Sequence, residues 1–130
     1  MGCDINIYLE YRSPITNDWE PFGYGYSIPR NYDMFAKMAV VRAEKYNTIF
    51  QARGLPDDLS EYVKEMYDKI PDDYLRHNPS WLNKNDFEVC VLSYDSSDIS
   101  HIIEYKVILS SMSMFEEYNI ETRIVFWFML

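Results

Sequence analysis

Apolar and polar residues alternate at the start of the chain. The alternation covers residues 3–12, and a period of two over that length predicts a half-buried β-strand. The apolar side chains that share one face are Cys3, Ile5, Ile7, Leu9 and Tyr11. A turn at 14–18 is followed by residues 19–22, which we interpret as a short return strand.

The last segment of the chain has a different pattern. Residues 121–128 contain the run Ile-Val-Phe-Trp-Phe at 124–128, which is apolar on both faces. Such a run predicts a strand that is covered on both sides or lies centrally in a sheet. We therefore expect this strand to pair with the first strand at the centre of one sheet.

Helical spacing of apolar residues predicts one helix in the first third of the chain and a long helix in the last third. Asn31 is the expected N-cap of the first, which should run to about Lys45. The other is long, from about Ile99 to Tyr118. Its candidate caps are Ser96, Asp98 and Ser100.

A shorter helix is predicted in the middle of the chain. Asn78 followed by Pro79 is typical of a helix start, so we expect a helix from Ser80 to about Phe87. Residues 88–92 are rich in β-branched side chains and indicate a short strand.

The predicted elements together define an α+β fold. A small antiparallel or mixed sheet, with the N- and C-terminal strands paired, should be covered by three to four helices. The chain has 130 residues, the size of one domain, so we expect a single domain over 1–130. No apolar stretch approaches the roughly 18 residues that span a membrane, which predicts a cytoplasmic protein without a membrane partner.

The net charge of the chain is −9. Direct binding to a nucleic acid requires a patch of Lys and Arg that meets the phosphates, so this charge argues against a nucleic-acid ligand. An acidic surface is instead suited to docking on a basic partner.

Another helix, predicted after residue 56, carries many carboxylates. Its predicted N-cap is Asp57 or Asp58, the Asp58 and Glu61 pair resembles a capping box, and Pro71 ends it. Spacings of three and four residues put the carboxylates on one side of the helix. This predicted acidic row comprises Asp57, Asp58, Glu61, Glu65, Asp68, Asp72 and Asp73. It either mimics the charge pattern of a nucleic acid and fills a basic groove, or is the solvated face of an amphipathic helix.

Residues suited to catalysis or metal binding are few. The histidines, His77 and His101, stand outside the HxxH and HExxH frames of metal sites. Cys3 and Cys90 have apolar neighbours, which indicates buried thiols and not nucleophiles. We therefore predict no catalytic residue, no metal and no cofactor.

Short sequence blocks are spread along the whole chain. They are MGCDIN at 1–6, WE at 19–20, RNYDMF at 30–35, RGLPDDLS at 53–60, HNPSWL at 77–82 and RIVFWF at 123–128. Together and in this order, they resemble a family of small, mostly uncharacterised phage and prophage proteins. Members of that family open Met-Gly-Cys-Asp-Ile-His and close with the same Arg-Ile-Val-Phe-Trp-Phe strand.

Two departures from the family pattern bear on function. The family's histidine after Asp-Ile is Asn6 here, and its terminal Asp-Asn is replaced by Met129 and Leu130. In a typical member those polar groups and a mid-chain histidine would converge near the paired strand ends, which suits metal binding or acid–base chemistry. This chain retains Asp4 and His77 from that set.

The resemblance and the acidity together favour one hypothesis. The chain would be a phage-encoded accessory protein of the host cytoplasm that inhibits a bacterial defence system, as anti-CRISPR proteins do, by placing the predicted acidic row in a basic groove of a defence protein. The alternative is a small ligand-binding or metal-dependent enzyme with a nucleotide or phosphate substrate. Its site would comprise Asp4, Asn6, Arg30, His77 and Arg123. The content of 12 Tyr and 7 Met leaves oligomerisation open.

Overall fold

One antiparallel sheet is the centre of the computed structural model, which describes residues 2–71, 75–94 and 99–130. The strands of the sheet are β1 (Asp4–Arg12), β2 (Trp19–Pro21), β3 (His77–Asn83) and β4 (Thr122–Met129). They lie in the order β2–β1–β4–β3. β1 and β4 pair from Asp4 opposite Met129 to Tyr11 opposite Thr122, which confirms the predicted pairing of the terminal strands.

Helices cover both faces of this sheet. They are α1 (Tyr32–Ala39), α2 (Glu61–Asp68), α3 (Lys84–Leu92) and α4 (Ile103–Glu117). Helices α1, α3 and α4 share the larger core with Ile124, Phe126 and Phe128 of β4. Helix α2 packs on the opposite face, over Val125 and Trp127. The α+β class is confirmed, and β4 is buried on both sides, as its apolar run predicted.

Aromatic contacts hold α2 on the sheet. The Trp127 ring stacks on Tyr8 of β1 with centroids 5.3 Å apart, and Tyr67 of α2 meets Trp127 edge-on at 5.0 Å. Tyr62 makes a second edge contact with Tyr8 at 6.2 Å, and Val63 is fully buried beside them. We call these five residues the aromatic cluster. Their contacts fix the position of α2 on the sheet, and so the direction in which its outer face points.

The first helix is shorter than the sequence predicts. It ends at Ala39 and not near Lys45, because Val40 adopts a left-handed conformation with φ 57° and ψ 42°. That conformation is unfavourable for a β-branched residue and persists only where the surrounding packing imposes it. Here the chain reversal places Val41 in the larger core, where it is 4% exposed.

The N-cap of α2 also differs from the prediction. Asp57 and Asp58 are not the cap; Ser60 is, and its hydroxyl accepts a hydrogen bond from the Val63 amide at 3.4 Å. The carboxylate of Asp58 instead binds Arg123 of β4, at 2.7 Å. A tertiary ion pair has therefore displaced the local capping box.

The predicted helix from Ser80 is wrong. This segment is strand β3, which pairs with β4 across an irregularity between His77 and Ser80. Asn78 has a positive φ of 50°, and Pro79 lies beside it in the bulge, a position where the missing amide hydrogen of proline costs no ladder bond. The helix begins later, with Asn83 as its N-cap.

The predicted strand at 88–92 is also wrong, because these residues belong to α3. Phe87, Cys90 and Val91 are buried in the larger core at helical spacing, while Val89 is 49% exposed. Packing of this helical stripe overrides the β-propensity of the valines.

The long fourth helix exists as predicted but starts later. It begins at Ile103 after a 3-10 turn at Ile99–His101, and the residue at its N-cap position, Ile102, makes no side-chain capping bond. The candidate cap Ser100 lies inside the turn. Outside the described residues lie the other two candidates, Ser96 and Asp98. No helix in the described part of the chain is long and apolar enough to cross a membrane.

Candidate functional site

Part of the predicted acidic row is exposed on and just before α2. Glu61, Glu65 and Asp68 occupy the outer side of α2, and Asp57 is exposed in the loop before it. We call these four residues the acidic surface. Two further members of the predicted row, Asp72 and Asp73, lie outside the described residues.

Asp58 has a different role from the other carboxylates. Its Oδ1 accepts a hydrogen bond from Arg123 at 2.7 Å, and its Oδ2 accepts one from the Trp19 indole at 3.1 Å. The hydrogen bond from Arg123 lowers the pKa of Asp58 below its ordinary value, against an opposing effect of burial. The contact therefore stabilises the fold above the ordinary carboxyl pKa and is lost as the pH falls through the lowered value. Asp58 fastens the loop before α2 to β4.

A buried ion pair lies directly behind this contact. Arg123 Nε donates to Glu10 Oε1 at 2.7 Å, and the two side chains are 7% and 0% exposed. The other oxygen of Glu10 accepts from the Ser60 amide at 3.0 Å. Sequence reasoning missed Glu10; the signal was its place on the polar face of β1, which antiparallel pairing brings opposite Arg123.

Arg123 and Asp58 line a polar pocket of about 630 Å³ at this end of the sheet. Three of the six arginines in the chain line it, together with two of the three tryptophans. They are Arg12, Arg53, Arg123, Trp19 and Trp81. We call it the arginine–tryptophan pocket. Its volume is within the range of small-molecule sites, roughly 300–1,000 Å³.

Guanidinium groups lie over both indole rings of this pocket. Arg12 and Arg123 are 4.8 Å and 4.0 Å from the centre of the Trp19 ring, and Arg53 is 4.9 Å from that of Trp81. The lining also contains carboxylates, those of Asp57, Asp58 and Glu121. The pocket therefore offers planar cationic surfaces beside hydrogen-bond acceptors.

The residues of the alternative ligand site do not form one cluster. At the far end of β1, Asp4 binds Arg30 at 2.6 Å, and this hydrogen bond lowers the pKa of Asp4. On the same strand, the Asn6 amide donates to the Met129 sulfur at 3.1 Å. Arg123 lies opposite Glu10, six positions along β1 from Asp4, which is about 20 Å at strand spacing.

His77 lies near Asp4 but on the other face of the sheet. Its Nε2 is 3.9 Å from Cys3 Sγ, and its Nδ1 is 3.3 Å from Asn78 Oδ1. A thiol, an imidazole and an amide in this order are the groups of a cysteine nucleophile site. However, Cys3 is completely buried, and burial raises the pKa of its thiol, which is the opposite of activation.

Both cysteines are free and buried, as their apolar neighbours predicted. Burial raises the pKa of Cys90 to about 12. Among the residues that the structure describes, no group of three or more His, Cys, Asp and Glu side chains is placed to hold a metal ion. The prediction of no metal stays a prediction.

The fold and its surfaces define an acidic α+β protein with a charged helix face and the arginine–tryptophan pocket. Comparison of the chain with protein-family models, with curated proteins and with solved structures found no match. The resemblance to phage proteins therefore stays a prediction.

Proposed function

We propose that the protein acts by binding, and that its acidic surface docks in a basic groove of a partner protein. The observation that supports this is the arrangement of Glu61, Glu65 and Asp68 on one exposed helix face, with Asp57 exposed in the loop before the helix. The aromatic cluster holds that helix against the sheet, so the backbone positions that carry the carboxylates are fixed relative to one another. A fixed backbone favours association because less conformational entropy of the chain is lost when the partner binds.

The partner that we propose is a component of a bacterial defence system whose groove normally receives nucleic acid. Carboxylates on successive turns of a helix lie about 5–6 Å apart and can occupy positions where the groove expects phosphates. The resemblance to phage proteins supports this choice of partner, and the net charge of −9 favours fast association with a basic surface.

Reversal of the three carboxylates of α2 should weaken binding and leave the fold intact. Changing Glu61, Glu65 and Asp68 to Lys should alter the free energy of unfolding by at most about 0.5 kcal/mol each, because all three are exposed. The affinity for a basic groove should fall tenfold or more, equivalent to about 1.4 kcal/mol. The measurement is phage infection of a defence-bearing host that expresses the variant or the parent.

A matched control applies the same change in charge elsewhere. Glu44, Glu88 and Glu104 lie in the loop after α1 and on α3 and α4, away from α2. Their reversal to Lys should preserve protection of the phage. Equal protection by both folded triple variants would refute the acidic surface as the binding site.

The arginine–tryptophan pocket supports a second candidate function, the binding of a small organic anion such as a nucleotide. Guanidinium planes stack on aromatic bases and also bind phosphate, so Arg12 and Arg53 offer both contacts from the rim. They are partly exposed, at 34% and 27% of the side chain, and their carboxylate partners are Glu121 and Asp86. Such exposed pairs contribute little to stability and exchange readily for a ligand phosphate.

Nucleotides should therefore stabilise the protein against heat. A ligand at 100 times its dissociation constant adds about 2.7 kcal/mol to the free energy of unfolding. The measurement is the shift in Tm across a panel of mononucleotides and cyclic nucleotides. Changing Arg53 to Gln should abolish the shift, whereas Arg30 to Gln, at the opposite end of the sheet, should preserve it. A panel without any shift at millimolar nucleotide would exclude this function.

A further inference from the structure

Helix α4 has two apolar faces. Its inner face contributes Tyr105, Ile108 and Met112 to the larger core, where each is at most 1% exposed. Its outer face presents a row of large apolar side chains to solvent. They are Ile103, Val107, Met114 and Tyr118, with exposed fractions of 41%, 52%, 57% and 73%. An apolar row of this kind on a small protein marks an interaction surface.

The outer row has the spacing of a helix-pairing seam. Ile103, Val107, Ser110 and Met114 follow one another at intervals of four, three and four residues, the pattern of a and d positions in a coiled coil. A groove of about 670 Å³ runs along this row, and Phe22 closes one side of it. We call this row, with Tyr118 one turn further, the α4 seam.

We propose that the α4 seam pairs with the α4 seam of a second copy of this chain, in antiparallel orientation about a twofold axis near Ser110. A twofold interface requires a surface that complements itself. With the axis between Ser110 and Ser111, Val107 faces Met114 of the other copy and Ile103 faces its Tyr118. Large residues thus meet large residues at both ends, and the small serines let the helices approach at the centre.

The charges beside the seam favour the antiparallel orientation. Lys106 lies on the N-terminal half of α4 and Glu117 on the C-terminal half, and both are exposed on the same flank of the seam. A twofold axis keeps that flank on one side of the dimer, so each Lys106 approaches the Glu117 of the other copy. In a parallel pair, the twofold axis would run along the helices and place this flank on opposite sides of the dimer, so the attraction between Lys106 and Glu117 would be absent.

The size of the seam sets the expected strength of the dimer. A 15-residue helix is about 22 Å long. Two helices of this length bury an area at the low end of specific interfaces. We therefore expect a dissociation constant of about micromolar.

Exchange of the two flanking charges tests this arrangement. Analytical ultracentrifugation should find a dimer of the parent chain at about 100 μM, well above the expected dissociation constant. Lys106→Glu and Glu117→Lys should each raise the dissociation constant by roughly tenfold. The double variant restores opposite charges and should recover the dimer. A parent that is monomeric at this concentration, or a double variant no better than the singles, would overturn the proposal.

A disulfide reports the position of the twofold axis. Ser110→Cys places two thiols at the axis, within the Cα separation of about 4.4–6.8 Å that a disulfide needs. Mild oxidation should give a covalent dimer, and the buried Cys3 and Cys90 should not interfere. Lys64→Cys, on the exposed side of α2, is the control and should stay monomeric under the same oxidation. Equal cross-linking of both variants, or none of Ser110→Cys, would contradict the antiparallel seam.

Discussion

Replacement of Arg123 by Met should lower the free energy of unfolding by about 3–5 kcal/mol, because it leaves the buried Glu10 carboxylate without its partner. Glu10 is fully buried, and its remaining described partner is the Ser60 amide at 3.0 Å. The same change releases Asp58, whose contact with Arg123 holds the loop before α2. Urea unfolding followed by circular dichroism measures the loss.

The control for this prediction is Arg12→Met. Arg12 also lies over the Trp19 ring and also forms an ion pair, but its partner Glu121 is 60% exposed. Such a pair contributes about 0–1 kcal/mol, so Arg12→Met should be nearly neutral. A loss below about 1 kcal/mol for Arg123→Met would mean that Glu10 is accommodated without its ion pair.

Replacement of Trp127 by Ala should destabilise the protein by about 3–5 kcal/mol and should loosen α2 selectively. Trp127 is fully buried and lies between the sheet and α2, in contact with Tyr8 and Tyr67. Without the indole, the aromatic cluster loses its largest member. The amides of α2 should then exchange with solvent roughly 100-fold faster, because 3 kcal/mol corresponds to about two powers of ten.

The matched control is the neighbouring residue of the same strand. Phe126 is also fully buried, but it faces the larger core on the other side of β4. Phe126→Ala should cost a similar global stability and should leave the local opening of α2 unchanged. Hydrogen exchange with mass spectrometry compares the two variants peptide by peptide. Equal protection of α2 in both would contradict the anchoring role of Trp127, and with it the rigid presentation of the acidic surface.

The two core replacements also bear on the proposed function. If rigid presentation matters, Trp127→Ala should weaken phage protection more than Phe126→Ala at a temperature where both variants remain folded. The acidic side chains themselves are untouched in both. This comparison separates the contribution of charge from that of the scaffold that holds it.

Several features of the candidate sites could be predicted from local sequence. Glu61, Glu65 and Asp68 share a face because helix geometry places residues three and four apart on one side. The thiols of Cys3 and Cys90 are buried because their neighbours belong to the core. Each of these inferences depends only on residues within about one helical turn or a few strand positions.

Other features depend on partners that are distant in sequence. Glu10 and Arg123 are 113 positions apart, and Asp58 and Arg123 are 65 apart. No local pattern marks these pairs, so sequence analysis assigned Asp58 to the acidic row and Arg123 to a site with Asp4. The sheet register decides both assignments, because it places Arg123 opposite Glu10 and about 20 Å from Asp4.

The sequence by itself determined the two central strands, their pairing, the exposed carboxylates of α2 and the existence of a long last helix. These features follow from the periodicity of the sequence, because an element that is buried on one face or on both has a regular spacing of apolar residues. The tertiary structure alone decided that 77–83 is a strand and 84–92 a helix. The helix and strand propensities of these residues differ by less than about 1 kcal/mol per residue, and the burial of Leu82, Phe87 and Cys90 in the larger core outweighs that difference.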